Sequence, residues 1–156
     1  MSHTEQPLEG IPAEVAATFA AGMDHVPFGQ WIGLEISAIE EDRVAMRFEM
    51  RDEFVGNSEM NVLHGGIISA ALDTVGGLAA LFGVLSRAAE RSEDPPSPWL
   101  STIDMRTDYL RPGFGSEFTA SAFPLRVGGR SVVTRMELHN EAGDLIAVGT
   151  GTYSVP

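Results

Sequence analysis

The alternation of apolar and polar positions divides the chain into two kinds of segment. Leu34 to Ile39 and Arg43 to Met50 alternate with a period of two, the pattern of two antiparallel strands joined through Glu40, Glu41 and Asp42. Four more stretches read as strands: Leu100 to Tyr109, Glu117 to Val127, Ser131 to His139 and Leu145 to Ser154. Turn residues separate them at Arg111-Pro112-Gly113, Gly128-Gly129 and Glu141 to Asp144. Between the two groups lies GGIISAALDTVGGLAALFGVL, Gly65 to Leu85, which is apolar on every side. It is too long for a strand, and a helix apolar all round is a buried helix. Its length approaches that of a membrane span. Asp73 near its middle would cost about 3 kcal/mol at the bilayer centre, five glycines interrupt it, and the amphipathic strands need something to cover. The order predicts an α+β fold, one curved antiparallel sheet wrapped around a long central helix.

The remaining segments are shorter and more polar. Residues 1–25 read as an N-terminal tail carrying a short helix from Pro12 to Gly22, leaving 26–156 as the main domain. Residues 26–33, with Pro27, Gly29 and Gly33, read as a loop. Residues 51–63 read as a long polar connection, and Arg87 to Pro98 as a charged, proline-rich surface loop.

Composition narrows the function. The 156 residues suit one domain, and 44% hydrophobic content supports a sizeable core. The formal net charge of −12, from 22 acidic against 10 basic residues, argues against nucleic acid as a partner. An anionic small molecule remains open, since a few arginines or backbone N–H groups suffice for it. There is no cysteine, so thiolate catalysis and disulfides are excluded. The four histidines show no metal-ligand spacing, and neither a metal nor a redox cofactor is expected. The start, MSHTEQPLEGIPAEV, lacks a basic-then-apolar signal, so a cytoplasmic location is expected.

Two features carry chemistry. Gly65 and Gly66 sit where a polar loop meets the helix, whose first N–H groups lack intrahelical partners and carry partial positive charge. Glycine lets a ligand approach that backbone, and either N–H can stabilise a developing oxyanion, an effect of about 3 kcal/mol per donor. The plain alternative is a tight turn. Asp73 is the sharper signal. It is the only ionisable group in 21 apolar residues, and an unpartnered buried carboxylate is costly. Gly66 and Asp73 are seven residues apart, about 10 Å of helix rise. One ligand atom cannot meet both within one chain. A site using both takes them from two chains, which predicts a homo-oligomer with active sites at a dimer interface.

The segments NSEMNVLHGGIISAALDTVGGLAA, STIDMRTDYLRPG and GGRSVVTRMELHNEAGDLIAVGTGTY resemble, in order and spacing, the PaaI-like acyl-CoA thioesterases of the hotdog superfamily. The likeness covers roughly residues 30 to 155. It implies a hotdog fold, hydrolysis of an acyl-CoA thioester, CoA as part of the substrate rather than a cofactor, and glycine and aspartate supplied by different subunits. It implies that His64 positions the helix start or the thioester; a cap on the turn is the alternative. It assigns an upstream asparagine to orient thioester or water. Asn57 is favoured, but it stands one residue further from His64 than in several relatives, and Asn61 occupies a place where relatives often carry glycine. Thr102 aligns with a hydroxyl residue that assists the acid, with Ser101 on the opposite strand face. Arg111 and Arg130 are candidates for the CoA phosphates, with Arg126 behind them.

The expected reaction is therefore thioester hydrolysis, with Asp73 as general base or nucleophile. A dehydratase or hydratase on acyl thioesters and a non-catalytic acyl-CoA-binding protein are the alternatives. The acyl group stays open, because Ala70, Ala71, Gly76, Gly77, Ala79 and Ala80 fit either close packing or an acyl tail. A dimer of dimers is a further possibility, with the strand face of Val132, Thr134 and Met136 as a surface to pair them.

Overall fold

The computed structural model describes residues 26–40, 43–91 and 100–155. The expected helix from Pro12 to Gly22 and the tip of the first hairpin lie outside them. A six-stranded antiparallel sheet has the order β1-β2-β6-β7-β8-β5, from β1 (Glu35–Ile39), β2 (Val44–Glu49), β5 (Ser101–Tyr109), β6 (Glu117–Val127), β7 (Ser131–Asn140) and β8 (Leu145–Ser154). One long helix, α2 (Gly65–Glu90), crosses one face of that sheet and packs chiefly on β6 and β7.

Alternation explains the inner face. On β7 the side chains of Val132, Thr134, Met136 and Leu138 are fully buried, and cross-strand Phe48 and Phe118 stack with ring centroids 5.5 Å apart. Against them α2 sets Ala71, Leu72, Val75 and Ala79, all at 0% exposure. Each large apolar side chain so buried contributes about 1.5–3 kcal/mol. The apolar length of α2 is thus that of a core helix on a sheet. Val132, Thr134 and Met136 form part of its bed and are unavailable for pairing dimers. The outward face of β7 is Val133, Arg135, Glu137 and His139.

Three local readings change. Residues 27–32 form a short helix, α1 (Pro27–Ile32), rather than a loop. Pro27 begins it, and Gly33, at φ 77°, ends it in the left-handed conformation that glycine adopts without a Cβ penalty. Residues 51–63 hold a 3₁₀ turn (Asp52–Phe54) and a small ribbon of β3 (Val55–Asn57) and β4 (Val62–Leu63). The central helix continues through Arg87 to Glu90, where a loop was expected. Arg87 lies in its last turn, where a cation meets the helix dipole favourably, and donates to the Val127 carbonyl at 3.1 Å.

Candidate active site

The site residues fall into two groups, one at each end of the first two turns of α2. At the helix start, the β3–β4 ribbon folds over His64. The approach is close enough that a Cβ on Gly56 would lie 2.8 Å from the His64 Cα. His64 occupies the N-cap position. Its Nδ1 accepts the Gly66 N–H at 2.8 Å, the bond that a serine or aspartate cap usually accepts. As an acceptor, Nδ1 carries no proton, so the neutral ring carries it on Nε2. Among the described residues the Gly65 N–H has no acceptor, so Gly65 offers the open donor and Gly66 the capped one. Asn57 stands in the same group. Its Oδ1 accepts from the N–H of Glu59 (3.0 Å) and Met60 (3.2 Å), which fixes the amide in a turn and leaves its NH₂ exposed. Asn61 sits at φ 50°, the left-handed residue of that turn. Thus Asn57 presents side-chain donors, while Asn61 serves the backbone path.

Two turns along, Asp73 is half-buried and not isolated. Thr102 Oγ1 donates to Asp73 Oδ1 at 2.9 Å. The Tyr153 hydroxyl lies 3.1 Å from the Asp73 carbonyl and 3.3 Å from Oδ1. Burial first, and the Asp73 charge second, push the Tyr153 phenol well above its usual pKa, so it is held as a donor.

Thr102 reaches the aspartate because of a bulge. In the pairing of β5 with β8, Thr102 faces Tyr153 and Asp104 faces Thr152, so Ile103 is an extra residue. Met105 and Tyr109 lie towards α2, Met105 packing on the core and Tyr109 against Gly65. Strict alternation from them would turn Ile103 inward and Thr102 outward. The bulge reverses both: Ile103 is 59% exposed and Thr102 meets Asp73. The same strand serves the other group. Tyr109 Oη donates to the Gly65 carbonyl at 3.0 Å and lies 2.5 Å from Ser69 Oγ.

The arginines divide likewise. The Arg111-Pro112-Gly113 loop runs beside the helix start, where the Gly113 carbonyl accepts the Leu63 N–H at 2.9 Å, and Arg111 donates to the Leu145 carbonyl. Arg130 lies at the opposite end of β8, where its carbonyl accepts the Val155 N–H, near Ser101 and Thr102. One chain therefore groups Asn57, His64, Gly65, Gly66 and Arg111 at the helix start. It places Asp73, Thr102 and Arg130 apart from them. Tyr153, Tyr109 and Ser69 went unread in the sequence. The one available signal was the "GTGTY" strand, whose glycines leave room for a large ring on the same face. A cleft of about 370 Å³ opens elsewhere, beside Ile32, Arg47, Phe48 and Glu117. No group of metal-ligating side chains occurs among the described residues.

A long core helix under a six-stranded antiparallel sheet is the hotdog fold of the thioesterases. The sequence profile of the Thioesterase superfamily matches residues 60–147, and the chain belongs to that family. It is 42% identical over 134 residues to the medium/long-chain acyl-CoA thioesterase YigI of Escherichia coli K12, covering 84% of this chain and 86% of that protein. A Shewanella oneidensis crystal structure related to the thioesterase superfamily superposes with a TM-score of 0.79 at 42% identity, over 92% of this chain and 97% of the other. The E. coli PaaI protein of the phenylacetic acid degradation operon shares the fold, with a TM-score of 0.74 at 20% identity over 92% and 94% of the two chains.

Proposed function

We propose that this enzyme hydrolyses medium- or long-chain acyl-CoA at sites formed between two copies of the chain. The observation that carries this reading is the separation of the half-sites on one helix. Gly65 holds an open N–H at the helix start, and Asp73, held by Thr102, stands eight residues on, about 12 Å along the axis. The 42% identity to YigI over most of both chains supports the substrate class. β5 supports the dimer. It is an edge strand of nine residues, exposed along much of both faces, of the kind that pairs with another chain unless it is blocked.

In this reading the thioester carbonyl binds the Gly65 N–H of one subunit, with the Asn57 amide beside it. Asp73 of the other subunit takes a proton from water as the water attacks the carbonyl carbon. The tetrahedral intermediate then expels the CoA thiolate, which is protonated, and the free acid leaves. Direct attack by Asp73, giving a mixed anhydride that water then opens, uses the same geometry. The two routes separate by single turnover in ¹⁸O-water, because hydrolysis of an anhydride at the aspartyl carbon leaves label in Asp73. Arg111 and Arg130 are assigned to the CoA phosphates from the two subunits.

Thiol release over a panel of phenylacetyl-CoA and short- to long-chain fatty acyl-CoAs tests the substrate class. kcat/KM is expected to peak at medium or long chains, and a peak at phenylacetyl-CoA would overturn that choice. Tight binding of the whole panel without turnover would favour an acyl-CoA-binding protein.

A further inference from the structure

The active aspartate has two oxygens, and the fold treats them differently. Thr102 Oγ1 and Tyr153 Oη both lie against Oδ1, at 2.9 and 3.3 Å. Oδ2 has no partner among the described residues. The Tyr153 side chain, 2% exposed, is held in a slot that the chain leaves open for it. A Cβ on Gly76 of α2 would lie 2.3 Å from the Tyr153 hydroxyl, and one on Gly151 of β8 would lie 2.9 Å from it. The ring edge also passes Gly77 at van der Waals distance. Each helix-interior glycine costs about 1 kcal/mol relative to alanine. Ring burial alone would be met by phenylalanine, so the slot serves the hydroxyl.

We propose that Tyr153 is a positioning residue which, with Thr102, holds Asp73 Oδ1 and so makes Oδ2 the oxygen that meets the water or the thioester. This rests on the reading of Asp73 as base or nucleophile. The phenolic proton faces three acceptors, the Asp73 carbonyl, Oδ1 and, at 3.6 Å, Met136 Sδ. Of these, the carboxylate oxygen gives the charge-assisted and so the stronger bond. Among the described residues of the neighbouring strands, the charged side chains turn away from Asp73. On β5 the residues Asp104, Arg106 and Asp108 register to the outer face, as do Arg135 and Glu137 on β7, and the inner neighbours Thr134 and Met136 are uncharged. Asp73 is the one ionisable residue of α2 before Arg87.

The chain has two tyrosines, so 3-fluorotyrosine labelling gives two ¹⁹F resonances, and Tyr153→Phe assigns them by deleting one. The Tyr153 resonance is expected to move in Asp73→Asn, which replaces the carboxylate oxygen that the hydroxyl meets. In Tyr153→Phe the carboxylate keeps only the Thr102 donor on Oδ1, so its fixed orientation is expected to be lost. kcat is expected to fall more than KM changes. A Tyr153 resonance unmoved in Asp73→Asn, a variant that leaves Tyr153 in its slot, overturns the proposal. So does a folded Tyr153→Phe enzyme with an unchanged kcat. Asp73→Asn activity judges the underlying reading separately: retained activity there would sink the role of Asp73, whatever the resonance does.

Discussion

The two half-sites solve opposite problems. At the start of α2 the proposed reactive group is backbone, an N–H at Gly65, and most of what shapes it is local in sequence: the His64 cap, the Asn57 turn and the β3–β4 ribbon, with Tyr109 as a distant contact. At Asp73 the proposed reactive group is a side chain two turns into the core helix, and what holds it is distant in sequence: Thr102 is 29 residues away and Tyr153 is 80. A backbone donor needs only a helix end and an absent side chain. A carboxylate in an apolar helix needs partners brought by the whole sheet. The first half-site is accordingly robust to packing changes, and the second is sensitive to them.

The sharpest way to break this contrast is Asp73→Asn, which keeps the shape and removes the base. Thiol release is expected to fall by about a hundredfold or more, with the circular dichroism spectrum and the oligomeric state unchanged. Full activity on the preferred acyl-CoA would remove Asp73 from the mechanism.

Gly76→Ala comes next. Its Cβ would lie 2.3 Å from the Tyr153 hydroxyl and 2.4 Å from Met136 Sδ. Overpacking costs about 1–3 kcal/mol, offset by about 1 kcal/mol of helix propensity, so urea denaturation should show a modest net loss. Turnover should fall more than stability does, because the displaced hydroxyl is the one that holds Asp73. A variant as active as the parent would show that the slot is packing alone.

His64→Ala probes the other half-site. Losing a cap costs about 1 kcal/mol, read by the shift in urea midpoint. The freed Gly66 N–H becomes a second donor at the helix start, so the kcat loss should be smaller than for Gly76→Ala. A larger loss would give His64 a direct part in the reaction.

The smallest effect lies away from both. Glu141 accepts the N–H and hydroxyl of Ser116, both at 2.9 Å. The Ser116 backbone bond, foremost, holds its pKa down at about 2 against an ordinary 4.5. A depressed carboxyl adds stability that is fully present above its unfolded value and is lost as pH falls through the folded one. Thermal stability should therefore decline between about pH 4.5 and 2, and Glu141→Gln should flatten that decline while leaving turnover at neutral pH unchanged.

Much of the first half-site was legible in the sequence. A polar loop running into two glycines at the head of an apolar stretch identifies a helix start with open donors, because caps and turns are set by neighbours within a few residues. Asp73 was legible too, since a lone ionisable residue in an apolar helix asks for a reason. Its partners were only partly so. Thr102 was reached through family resemblance, but the outward turn of Ile103 that aims it was not, because a bulge is a property of the pairing between β5 and β8. The same limit explains the misplaced face of β7. Alternation shows that Val132, Thr134 and Met136 share a face, while only the packed helix shows that this face is the inner one.

By itself, the sequence determined the six strands of the main sheet and their order along the chain, the single core helix, and the two candidate positions upon it. These rest on periodicity and on helix-end chemistry, which are local. Only the tertiary structure decided that Tyr153 reaches Asp73 through the space left by Gly76 and Gly151, that Oδ1 is the held oxygen, and that one edge strand touches both half-sites. Those facts depend on strand register and on a few ångströms of helix-to-sheet distance, which no neighbouring residue specifies.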